Sequence, residues 1–167
     1  MEEQRDEGKF STCGSDVDDL GQEIIAKYRQ ELAEARIQYL YRHGGWSASG
    51  KVVAGEAYKV DERKQAGGYE FDFEIVLNKE VWQDAEQSTK RAILHHQLCH
   101  CVWAVNEHGE FDANDDGSPK WRKQPHDFGD FHEVVKAHGT DWHEDLRILR
   151  RVMEQPRLPG VDVRVAD

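Results

Sequence analysis

The stretch that decides the reading is Ser88-Thr89-Lys90-Arg91-Ala92-Ile93-Leu94-His95-His96-Gln97-Leu98-Cys99-His100-Cys101. Ile93, Leu94, Leu98, Val102 and Val105 recur at helical spacing. The period predicts one helix, capped by Ser88 or Thr89 and running to about Val105. Residues four apart on a helix stand one above the other on the same face. His96 and His100 therefore present two imidazole nitrogens to one point in space. A zinc ion takes three or four ligands near 2 Å, and a catalytic zinc keeps one position open. The other polar residues of this turn point elsewhere. Cys99 and Cys101 would diverge by about 200° on a helix, and His95 is turned by about 100° from His96. The two cysteines read as small buried thiols. His95 reads as a group behind the ligands rather than among them.

Two ligands need a third, and the chain downstream offers His126, His132, His138 and His143. His126 follows Pro125 and is placed to open a helix expected over 126–138, with Gly139 as its C-terminal stop. A side chain at a helix start can lean toward a neighbouring helix while the rest packs. His126 is the favoured candidate, then His138 at the other end; spacing alone leaves the choice open. The run Asp112-Ala113-Asn114-Asp115-Asp116-Gly117 imitates the start of a calcium loop. Its twelfth position is Lys123 where a bidentate glutamate is required. It is read instead as a polar turn between two short strands.

Upstream of the histidines, Leu20, Ile24, Tyr28, Leu32 and Ala35 predict a helix from about Val17 to Arg36, with Asp16 as its cap. Gly21 in its first turns counts against it. Alternation then predicts strands over 37–42, 51–60 and 69–77, joined by glycine-bearing loops as a meander. A last short helix is expected over 142–153, ended by Pro156 and Pro159. The order α-β-β-β-α-loop-α-α is an α+β domain, a three-stranded antiparallel sheet packed on the histidine helix and further helices. The expected organisation is a structureless acidic tail over 1–16, one domain over 17–155, and a C-terminal tail over 156–167.

Composition limits the function. The 167 residues suit one domain. A formal net charge of −11 repels phosphate backbones and anionic lipid, which disfavours nucleic acid as a partner. No apolar run is long enough to span a membrane. The acidic N-terminus does not read as a signal peptide. Three cysteines, at 13, 99 and 101, make no disulfide framework, and a reducing cytoplasm is the expected location.

Several stretches taken in order resemble the phage metallopeptidases, zincins related in outline to the SprT-like proteases. They are Ile37 to Arg42, Gly50-Lys51-Val52-Val53-Ala54-Gly55, and Asp72-Phe73-Glu74-Ile75 followed by Asn78 and Trp82. Next come Ala92-Ile93-Leu94 leading into the histidine run with Cys99 and Cys101, then His126-Asp127 with Phe131, and His138-Gly139 with Trp142. The resemblance covers about residues 20 to 146. It implies a zincin-like fold, a Zn2+ cofactor held by His96, His100 and His126, and a peptide or protein substrate cleaved in the host cytoplasm. The family's motif reads D-H-E-L-C-H-C, and here His95 and Gln97 stand at the aspartate and glutamate positions. Glutamate in H-E-x-x-H is the general base toward water. Glutamine is isosteric but takes no proton, so Gln97 at the catalytic position implies impaired hydrolysis. The competing readings are a zinc-stapled protein that binds a host partner without catalysis, and a structural domain without metal.

Overall fold

The computed structural model describes residues 8–126 and 131–155. The chain order is β1 (Phe10–Thr12), α1 (Ser15–Tyr28), a 3-10 turn (Gln30–Leu32), β2 (Ile37–Arg42), β3 (Ser47–Ala48), β4 (Lys51–Val52), β5 (Gly55–Lys59), α2 (Glu62–Ala66), β6 (Phe73–Asn78), α3 (Lys79–Asp84), α4 (Gln87–Cys99), β7 (Cys101–Trp103), β8 (Trp121–Lys123), α5 (His132–His138) and α6 (Glu144–Glu154). The α+β class holds. The sheet differs from the expected one: four strands in the order β1-β2-β6-β5, with β2 and β6 parallel and both outer pairs antiparallel.

The physical reason lies in strand burial. In β6, Phe73, Ile75, Val76, Leu77 and Asn78 are all buried, the nearly continuous buried run of a central strand. Strand β5 carries Glu56 and Lys59 and takes the edge, where charge is tolerated. A meander would have set β5 beside β2; instead β5 hairpins onto the far side of β6, and β2 pairs β6 in parallel, Ile37 opposite Phe73 through Arg42 opposite Asn78. Strand β1 closes the other edge, Phe10 opposite Arg42. The tail expected to be structureless through residue 16 is thus ordered from β1 onward; three residues are too few for a periodic signal. Residues 1–7 and the expected C-terminal tail lie outside the described residues.

Helix α1 packs Val17, Leu20 and Ile24 into the core with Leu32, Tyr39, Leu94 and Leu98. Gly21 has a packing reason. A Cβ there would strike the Tyr39 hydroxyl and come within 2.8 Å of its Cζ. Gly21→Ala should therefore destabilise the protein by about 1–3 kcal/mol despite alanine's better helix propensity, because Tyr39 is buried and cannot step aside. Urea unfolding checks this; a stabilised variant would show that the helix and ring separate freely.

Helix α4 is buried on every side from Ala92 to Cys99. It stops earlier than its periodicity predicts, with His100 as C-cap. The chain then enters β7, which pairs β8 with Cys101 opposite Lys123 and Trp103 opposite Trp121. A β-branched and aromatic run that finds a partner strand outweighs a continued helical period. The loop between them makes bridges at Val105–Phe111 and Ala113–Pro119 and turns at Gly117 (φ +83°), as the polar-turn reading required. Helix α5 begins at His132, later than expected, and ends at Gly139 (φ +72°), whose N–H caps Val135. His126 therefore does not open α5; it lies three residues past β8.

Candidate metal centre

His96 and His100 stand on one face of α4, their ring centroids 5.3 Å apart. His126 arrives from the end of the β7–β8 hairpin. Its ring lies 4.8 Å from His96 and 4.6 Å from His100, and the His96 and His126 Nε2 atoms are 2.9 Å apart. One ligand atom from each of the three lies within 4.8 Å of the others. Tetrahedral zinc with Zn–N near 2.0–2.1 Å sets its nitrogens about 3.3 Å apart; the 2.9 Å between His96 and His126 and the 4.8 Å bound on all three bracket that spacing. His96 is buried, His100 half-buried and His126 exposed, so the cluster opens toward solvent on the His126 side.

Gln124 sets His100. The His100 Nδ1–H donates to the Gln124 carbonyl at 2.7 Å, which leaves Nε2 as the lone-pair nitrogen. The Gln124 side chain donates to the Cys99 carbonyl at 2.7 Å, and its backbone N–H to the His100 carbonyl at 2.9 Å. Two carbonyls that a helix end leaves without partners are thereby satisfied. Burial pushes His100 down to about 4, opposed by the bond to Gln124 and reinforced by His96, His126 and Lys123. At neutral pH the ring is uncharged, the form a cation requires. Gln124 carried no signal in the sequence, because its role depends on the unforeseen β7–β8 pairing.

Apolar rings wall the cluster. Phe131 lies 5.5 Å from His96, 4.8 Å from His100 and 5.3 Å from His126. Trp142 lies 5.9 Å from His96. Gln97 is buried, and its Nε2 donates to the Gly55 carbonyl at 3.1 Å. The assignment of the amide follows from that partner, since a carbonyl only accepts. A Cβ at Gly55 would meet the Val76 carbonyl at 3.0 Å and Gln97 Cγ at 3.5 Å; glycine there lets β5 approach the helix closely.

The remaining histidines stand elsewhere. His138 bonds His95, Nε2 to Nδ1, at 3.0 Å. His143 caps α6, its Nδ1 accepting from the Asp145 N–H at 3.2 Å. His132 is the first residue of α5. The run over 112–117 forms no candidate metal group among the described residues.

The chain matches the family described as "putative phage metallopeptidase" over residues 9–153. It belongs to this family. The match spans most of the chain, from β1 into α6, and includes every residue of the three-histidine cluster. Comparisons with curated proteins and with solved structures gave no match. Family membership makes this a metal-dependent peptidase type of protein with protein or peptide substrates. Among the described residues no helix is long and apolar enough to cross a membrane.

Proposed function

We propose that the chain is a zinc-dependent peptidase, acting in the cytoplasm, in which His96, His100 and His126 hold the ion and Gln97 blunts hydrolysis. The observation that carries the reading is the convergence of three imidazoles from two separate elements on one point. A bound zinc ion would supply Lewis acidity toward a peptide carbonyl and toward water. The chain's own residues do the rest. Gln124 holds the His100 tautomer, while Phe131 and Trp142 exclude bulk water from the inner side and so strengthen electrostatic interactions there. Gln97 sits beside His96 and can donate or accept a hydrogen bond, but it cannot carry a proton from water to a leaving amine.

The anchoring of Gln97 on Gly55 favours a second reading, a zinc-bearing protein that binds a peptide or protein partner without cutting it. Under either reading the three-histidine site retains a divalent ion. The test is cobalt or zinc uptake by the purified full chain, followed by desalting and elemental analysis. We expect His96→Ala to retain one ion fewer per chain than the wild type. Metal-free protein after exposure to excess zinc would overturn both readings.

A further inference from the structure

Helix α4 carries a second donor pair at the same spacing as the first. His95 and Cys99 are four apart and rotated by about 100° from His96 and His100, so they face α5 rather than the segment after β8. Both are deeply buried, at 0% and 1% exposure. Opposite them stands Glu133, in the first turn of α5. His95 Nε2 lies 3.1 Å from Glu133 Oε1, and Cys99 Sγ lies 3.8 Å from Glu133 Oε2. One donor atom from each of the three lies within 4.8 Å of the others. We propose that His95 Nε2, Cys99 Sγ and Glu133 form a second site for a divalent transition metal of the zinc class, separate from the three histidines, that ties α4 to α5. The inference does not depend on the three-histidine reading.

Three observations carry it. The first is geometry. Tetrahedral zinc with N and O near 2.0–2.2 Å and S near 2.3 Å places its ligand atoms about 3.3–3.6 Å apart; the two separations run to different oxygens of Glu133, with one atom from each residue within 4.8 Å of the others, so the carboxylate must turn to bring one oxygen onto the ion. The thiolate, imidazole and carboxylate are ligands that zinc accepts together.

The second is charge. Without metal the cluster holds Glu133, Arg29 at 3.0 Å from its Oε2, and Glu31 at 2.9 Å from Arg29, one net negative charge beside a neutral thiol. A divalent ion with a Cys99 thiolate and the Glu133 carboxylate is neutral, and Arg29 with Glu31 is neutral too. Charge balance favours the loaded state, an effect that water reduces because Glu133 and Glu31 keep 33% and 28% of their side-chain surface exposed.

The third is the outer partner. Without metal, His138 Nε2–H can donate to His95 Nδ1 while His95 Nε2–H donates to Glu133. On loading, both rings change tautomer with no net proton gained or lost: His95 carries its proton on Nδ1 and donates to His138 Nε2, 3.0 Å away, and His138 carries its own on Nδ1. This is the hydrogen bond that orients a ligating histidine. Cys99 releases its thiol proton to solvent as the sulfur–metal bond forms, and nothing is oxidised or reduced. Tyr28 stacks on the His95 ring at 4.6 Å and holds its plane.

The test titrates metal-free full-length protein with cobalt(II), reading metal per chain after desalting and the near-ultraviolet sulfur-to-cobalt charge-transfer band. An all-histidine site gives no such band. We expect two ions per chain and a band in the wild type. Glu133→Gln and Cys99→Ser should each retain one ion and lose the band, and His126→Ala should lose one ion and keep the band. Circular dichroism checks the fold; should Cys99→Ser unfold, Glu133→Gln decides. No band in the wild type, or a band that survives both Glu133→Gln and Cys99→Ser, would overturn the proposal.

Discussion

His126→Ala should weaken zinc retention at the three-histidine cluster by more than about 100-fold, roughly 2.7 kcal/mol. Outer partners of metal ligands already cost 10–100-fold when removed, and His126 is placed to be a ligand itself. Its Nε2 lies 2.9 Å from that of His96 and its ring 4.6 Å from that of His100. Removal leaves two nitrogens on one helix, short of the three protein ligands that zinc sites use. His132→Ala and His143→Ala should leave retention unchanged. His143 is occupied in capping α6, so its loss costs helix stability instead. His138→Ala removes a partner of His95 and should spare this site. The measurement is zinc competition against a chromophoric chelator, made in a Cys99→Ser background to silence the second cluster. Retention that survives His126→Ala and fails in His138→Ala would move the third ligand to the far end of α5.

The contrast between these histidines shows what the sequence could carry. The His96–His100 pair was legible because both residues sit in one helix, where spacing alone fixes direction. His126 was legible as a candidate, but for a partly wrong reason. It was expected to open a helix, whereas it reaches the cluster from the β7–β8 hairpin, and Gln124 just before it locks the helix end. That pairing joins Cys101 to Lys123 across a long loop, and no local period reports it. The parallel pairing of β2 with β6 was hidden for a similar reason. Alternation tells which face of a strand is buried, not which neighbour it takes. His95 was set apart from the His96–His100 pair by its angle on the helix, and its partners Glu133 and His138 come from another helix. Only the packing of α5 against α4 reveals that they converge.

Gln97→Glu should raise peptide hydrolysis at equal zinc occupancy, by an amount that the surroundings of Gln97 limit. General acid–base help is typically worth about 10²–10⁴-fold. The Gln97 amide now donates to the Gly55 carbonyl at 3.1 Å. A carboxylate has no proton to donate there, so it would face an acceptor across a buried gap. Turning away from Gly55 forfeits that hydrogen bond, a cost of about 0.5–1.5 kcal/mol, or up to roughly tenfold in the population of the productive rotamer. The expected gain is therefore about 10–10³-fold. Burial at position 97 disfavours the charged form and pushes a glutamate's pKa upward. That shift helps a base that must accept a proton near neutral pH. The variant's rate should accordingly rise with pH through a midpoint above the ordinary glutamate value of about 4.3, while the wild type lacks that limb. The assay compares both zinc-loaded forms on a panel of unfolded proteins across pH. Equal rates with equal pH profiles would remove Gln97 from the base position. A faster variant with an unchanged profile would mean that the substitution acts through packing against Gly55 rather than through proton transfer.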